Sequence, residues 1–179
     1  DFFLKILNSS QGLEHELGDK LSAEALQRGA STLPPQKWRI YSDDVSIGVY
    51  PFLDARYLKV SNSDCNEIGK QLLILHNALT ASRFSEIIKK KALKRYDELD
   101  ETRSYILTDK IQVGPSADLL RKIICNYPAN FISEEIPQII HGDLNLGNIL
   151  FDKNSKVVFI DFETACMSWL PKIVDLATI

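Results

Sequence analysis

The polar run His141-Gly142-Asp143-Leu144-Asn145-Leu146-Gly147-Asn148 lies between two apolar stretches, and it limits what this chain can fold into more than any other segment. Ile139-Ile140 precede it and Ile149-Leu150-Phe151 follow it, so both ends are anchored while the middle stays polar. Two glycines and two asparagines let the loop fold tightly, because both residue types tolerate unusual backbone angles. Asp152–Lys156 then reads as a turn, and Val157–Ile160 as a second strand ending at Asp161. Pairing 149–151 with 157–160 as a hairpin sets Asn148 and Asp161 at the same end of it, with Asp143 one loop away.

Two carboxylates and an amide gathered at one strand end repel and are poorly solvated if left alone. A hard divalent cation resolves that conflict. Oxygen ligands of this kind suit Mg²⁺, which keeps its remaining positions for water and phosphate oxygens. For Asp143 or Asn145 taken singly, the alternative is an Asx-rich turn whose side chains cap the backbone. An EF-hand is excluded, since the glycine falls at loop position five rather than six and position twelve is Asn154 rather than Glu. The chain holds no G-x-x-x-x-G-K-[ST] phosphate loop and no H-E-x-x-H zinc motif.

HGDLNLGNIL followed by FIDFETA resembles the catalytic and metal-binding motifs of the aminoglycoside phosphotransferase / choline kinase-like family, which is kin in fold to the protein kinases. Asp143 to Asn148 matches the D-x-x-x-x-N of the catalytic loop. Asp161, thirteen residues after Asn148, matches the metal-binding aspartate. The resemblance implies a small-molecule kinase that moves the γ-phosphate of ATP to a substrate hydroxyl. In it Asp143 would orient that hydroxyl and accept its proton, while Asn148 and Asp161 would hold Mg²⁺ against the ATP phosphates. Glu163 is open among a further metal ligand, a supporting group and a solvated acid. His141 reads as a packed residue that ties the loop, and Asp175 matches a position that buttresses the site.

The same resemblance makes demands on the rest of the chain. Phe2-Phe3-Leu4-Lys5-Ile6 is similar to the strand whose lysine contacts the ATP phosphates, and an isolated lysine in an apolar strand favours a cleft over solvent. Leu13, Leu17 and Leu21 recur every four residues, predicting a helix that ends near Gly29. Glu16, and behind it Glu14, would supply the carboxylate that pairs with Lys5. After a Pro34-Pro35 loop, Trp38–Tyr41 and Val45–Tyr50 flank Ser42-Asp43-Asp44 as a hairpin. Pro51 stops its second strand or puts it at an edge. Phe52 and Leu53 then fall where a hinge would receive adenine. Ile68, Leu72, Leu75 and Leu79 form one helical stripe, whose helix ends at a packed His76. Ile87, Ile88, Ala92 and Tyr96 form a weaker stripe in a basic run, and further helices are expected at 99–109, 116–126 and after Pro171. The expected fold class is α+β, a protein-kinase-like fold of two lobes. Residues 1–53 give part of the nucleotide-binding lobe and hinge, and 54–179 part of a mainly helical lobe carrying the catalytic and metal-binding loops.

Net charge −3 argues against a nucleic-acid partner. No apolar run approaches the roughly 18–20 residues that span a bilayer, so no membrane partner is expected. Three cysteines without a C-x-x-C pair fit free thiols in a reducing, cytoplasmic setting. The chain opens in the middle of a strand without an initiator methionine and reads as a piece of something longer. The expected partners are ATP and a small hydroxyl compound, whose identity no residue selects. The rival reading is a nucleotide-binding pseudokinase without turnover.

Overall fold

Three strands and a helix build the first lobe. The computed structural model describes residues 2–33, 38–41, 45–59, 61–94 and 137–179, the side chains of 9–14 and 38–41 excepted. The helices expected at 99–109 and 116–126, the Pro34-Pro35 loop, the hairpin tip 42–44, Tyr96 and Cys125 lie outside those residues. Strand β1 (Phe2–Asn8) runs antiparallel to β3 (Val45–Pro51), and β2 (Trp38–Tyr41) pairs with the other side of β3. β3 alternates as a half-buried strand should, with Ser46, Gly48 and Tyr50 buried. It ends at Pro51, so the proline closes a central strand and does not mark an edge.

Helix α1 (Ser9–Gln27) follows β1 without a loop. A side chain at Gly18 would bring its Cβ to 2.7 Å from the Phe162 carbonyl oxygen, so glycine there lets α1 approach the backbone beyond the hairpin directly. Leu21 and Ala25 of the same helix are fully or almost fully buried.

The second lobe begins with a strand absent from the periodicity. β4 (Ala55–Tyr57) pairs with β6 (Ile149–Asp152), which in turn pairs with β7 (Val157–Phe159). The expected hairpin is therefore the inner part of a three-stranded sheet. Three residues are too few to show alternation. Tertiary contacts hold them instead: the Arg56 guanidinium lies 4.4 Å from the Phe151 ring centroid and forks onto Asp64 at 2.8 and 2.9 Å.

Helix α2 (Asn62–Thr80) starts at Ser61, whose hydroxyl accepts from the Asp64 amide at 3.1 Å. Its stripe Ile68, Leu72, Leu75 and Leu79 is buried as the spacing predicts. Helix α3 (85–94) buries Ile88 and Ala92 and leaves Ile87 exposed. Two short strands, β5 (Gln138–Ile139) and β8 (Trp169–Leu170), pair beneath the polar loop, and α4 (Ile173–Thr178) closes the chain.

One core joins the two lobes, with α1 (Leu21, Ala25), α2 (Leu75, Leu79) and the hairpin (Ile149, Phe151, Phe159) in a single buried cluster. Each of the leucine, isoleucine and phenylalanine side chains among them contributes about 1.5–3 kcal/mol by leaving water. That packing fixes the polar loop and the end of the hairpin relative to α1. The architecture is α+β, and among the described residues no helix is long and apolar enough to cross a membrane.

Candidate active site

Asp175 organises the polar loop from below. It is fully buried and accepts from the backbone amides of His141 (2.9 Å) and Gly142 (2.8 Å) and from His76 Nε2 (2.9 Å). Burial pushes its pKa up, but the hydrogen bonds from His76, Gly142 and His141 outweigh burial and hold it below the usual carboxylate value. Gly142 turns the chain here at φ +79, and any Cβ would run into Ser168 and Thr164. Both requirements, a left-handed angle and no side chain, are met only by glycine.

His141 is buried beside Phe162, their ring centroids 4.7 Å apart, with its Nε2 at 2.8 Å from the Ile160 carbonyl. That carbonyl accepts, so Nε2 carries the proton and the buried Nδ1 is left without a partner. Burial pulls its pKa below the ordinary 6.5. A histidine depressed in this way stays neutral when folded but takes up a proton when unfolded. Its stabilising effect is complete above pH 6.5 and is lost as pH falls from there toward the folded value. The expected slope is up to about 1.4 kcal/mol per pH unit below pH ~6.5. Urea denaturation at stepped pH should show it, and His141→Gln should remove about one proton from that slope.

At the hairpin end the Ile160 amide donates to the Asn148 carbonyl at 3.1 Å, which sets Asn148 beside the residue that leads into Asp161. Asn148 donates its side-chain nitrogen to the Asp143 carbonyl oxygen (2.7 Å) and carboxylate (3.1 Å). Asn145 donates to the same carboxylate at 3.0 Å and accepts from the Gly147 amide at 2.8 Å. Asn145 therefore caps the loop as an Asx-turn, and the exposed Asp143 carboxylate is held by two side-chain amides.

Asp161 adopts a left-handed backbone (φ 63), which aspartate tolerates better than most side chains. It faces a cleft of about 420 Å³ between the lobes. Across that cleft Lys5 Nζ reaches Asp161 Oδ1 at 3.0 Å and Glu163 Oε2 at 3.6 Å. His15 Nε2, on buried α1 surface, also bonds Glu163. Phe52, Leu53, Tyr50, Leu150 and Ile160 supply apolar walls.

Of the residues singled out in the sequence, Lys5, Phe52, Leu53 and Asp161 thus share one cleft. Asp143 and Asn148 stand together outside its lining. Glu16 pairs with Lys20 at 2.7 Å, one turn along α1, and among the described residues the carboxylates on Lys5 are Asp161 and Glu163. The side chain of Glu14 lies outside the described residues. His15 was missed: a histidine beside a glutamate on a helix carries no periodic signal, and its partner lies in another lobe.

His15, Asp161 and Glu163 offer ligand atoms within 4.8 Å of one another, and Asn148 keeps an amide oxygen near the same hairpin end. Carboxylate and amide oxygens are the donors that Mg²⁺ takes. The Lys5 ammonium already lies against Asp161, showing that the position accepts positive charge.

The chain matches the phosphotransferase enzyme family over residues 13–178. Among solved structures it is similar to the aminoglycoside phosphotransferase APH(3'')-Id from Streptomyces rimosus, in complex with ADP and streptomycin. Identity there is 15% and the TM-score 0.65, over 99% of this chain and 70% of that one. It is also similar to aminoglycoside-3'-phosphotransferase of type VIII, with 19% identity and TM-score 0.59 over 99% and 67% of the two chains. A third is APH(2'')-IIa in its ternary complex with streptomycin and ATP, with 14% identity and TM-score 0.63 over 97% and 62%. At such identities the likeness is one of fold. No curated protein matches the chain in sequence. A family match along almost the whole chain, carried on a protein-kinase-like fold, makes this chain a member of the phosphotransferase enzyme family.

Proposed function

We propose that the protein is a small-molecule kinase that transfers the γ-phosphoryl group of Mg-ATP to the hydroxyl of a small metabolite or antibiotic. The observation that carries this reading is the 3.0 Å approach of Lys5 and Asp161 across the cleft, with Asn148 tied to the strand end beside Asp161. Residues 1–53 serve as the nucleotide lobe and hinge, with Phe52 and Leu53 against adenine. Residues 54–179 carry the transfer chemistry, and Cys65 and Cys166, neither of them in a disulfide, agree with a cytoplasmic setting.

In this reading Lys5 releases Asp161 and takes up the α- and β-phosphates. Asp161 and the Asn148 amide oxygen would hold Mg²⁺, which would neutralise charge on the phosphate oxygens when bound. Asp143, exposed and oriented by Asn145 and Asn148, hydrogen-bonds the acceptor hydroxyl and receives its proton. The walls of Phe52, Leu53 and Leu150 exclude water from the adenine side. The acceptor follows from nothing in the described residues. Streptomycin, bound in two of the similar structures, makes aminoglycosides the first compounds to try.

The test is Mg²⁺-dependent nucleotide binding by calorimetry, then ATP consumption with a panel of hydroxyl compounds. Asp161→Ala should weaken Mg-ATP binding by about 10- to 100-fold, the effect of losing a charge-assisted ligand of ~1.5–3 kcal/mol. Unaltered Mg²⁺-dependent binding in that variant would remove Asp161 from the metal site.

A further inference from the structure

Protein kinases fix the phosphate-binding lysine with a glutamate from the helix that follows its strand. In this chain that helix is α1, yet its Glu16 is engaged with Lys20 at 2.7 Å. The second carboxylate on Lys5 comes from the other lobe: Glu163, two residues past Asp161, at 3.6 Å. We propose that Glu163 is the residue that positions Lys5 for the nucleotide phosphates, and that His15 of α1 holds Glu163 in place. This assignment rests on the kinase reading above.

Three independent features support it. Among the described residues Lys5 touches two acids, and only one can remain with it once Asp161 turns to a metal ion. Glu163 is then the carboxylate already in reach. Glu163 is also anchored, because the buried His15 bonds the same Oε2 that faces Lys5. Finally, α1 is seated on this loop and not merely near it. Gly18 admits the Phe162 carbonyl to a distance that any Cβ would forbid, which places His15 one helical turn away against residue 163. Helix α1 therefore still orients the lysine, but through a histidine and a borrowed glutamate. Coupling the nucleotide lobe to the metal-binding loop this way joins in one contact what kinases divide between two.

The experiment is calorimetric binding of ADP and ATP at stepped Mg²⁺ concentrations, using the complete protein and the variants Lys5→Ala, Glu163→Gln, His15→Gln and Glu16→Gln. Glu163→Gln is isosteric and half-exposed, so the fold should survive, and melting curves check this. It should weaken nucleotide binding about tenfold (~1.4 kcal/mol) without raising the Mg²⁺ concentration for half-maximal binding. His15→Gln should give a smaller loss in the same direction. Combined with Lys5→Ala, Glu163→Gln should add almost nothing, because the carboxylate acts only through the lysine. A purely structural role would leave the two effects additive. A raised Mg²⁺ requirement in Glu163→Gln makes Glu163 a metal ligand and overturns the proposal, as does an equal or larger loss in Glu16→Gln. Nucleotide binding that is intact in Glu163→Gln overturns this assignment alone. Absence of nucleotide binding in the unaltered protein overturns the kinase reading itself.

Discussion

Asp143→Ala should lower kcat by about two to four orders of magnitude, the usual contribution of a positioned base, while nucleotide affinity changes little. Asp143 lies outside the cleft lining, so its removal takes nothing from the surface that faces Lys5 and Asp161. Its carboxylate is held by amide nitrogens of Asn145 and Asn148 at 3.0 and 3.1 Å, and its backbone carbonyl by Asn148 at 2.7 Å. That arrangement fixes an exposed acid without burying it, which is how a group that must meet a second substrate should be presented. Because the side chain is solvated, its loss should cost little stability. Melting temperature and turnover would therefore separate in this variant. Coupled ATP consumption with the best acceptor measures the effect. Equal turnover in Asp143→Ala would remove it as the base. Tight Mg-nucleotide binding without turnover on any hydroxyl compound would favour the pseudokinase reading.

Where the chain is locally periodic, the sequence was legible. The stripe Ile68, Leu72, Leu75 and Leu79 predicted α2, and the alternation through Val45–Tyr50 predicted β3. The hairpin around Asp152–Lys156 was equally plain, since the turn and both strands lie within a dozen or so neighbouring residues. From that hairpin alone Asn148 could be placed next to Asp161. Elements defined by distant partners were not legible. β4 is three residues held by β6 and by the Arg56 fork on Asp64, and β5 and β8 are two residues each. The contact of His15 with Glu163 belongs to the same class. It depends on a glycine contact between α1 and residue 162, which no spacing rule anticipates. The resemblance to kinases pointed to a helix carboxylate for Lys5, but only the packed structure shows which acid stands beside it.

The largest loss of stability should come from Asp175→Ala. The carboxylate is fully buried and is the common acceptor for His76 Nε2 and for the amides of His141 and Gly142. Truncation strands three donors at once, those of His76 and His141 buried and that of Gly142 half-buried. Each unsatisfied group costs on the order of 1–3 kcal/mol, so the loss should amount to several kcal/mol in all. Against a total stability of roughly 5–15 kcal/mol, that brings the chain close to unfolding at 37 °C. Asp175→Asn should recover only part of it, because an amide keeps one acceptor oxygen but turns an NH₂ toward a second donor. The pH dependence gives an independent check. The folded pKa of Asp175 lies below 3.8, so its contribution is complete above that value and is lost as pH falls through the depressed folded value. Wild-type stability should therefore fall steeply below about pH 4, and Asp175→Asn should flatten that limb. Denaturant midpoints at pH 7 and pH 3 would show both effects. A loss under about 1 kcal/mol in Asp175→Ala would mean that the loop carrying Asp143 is held by something else.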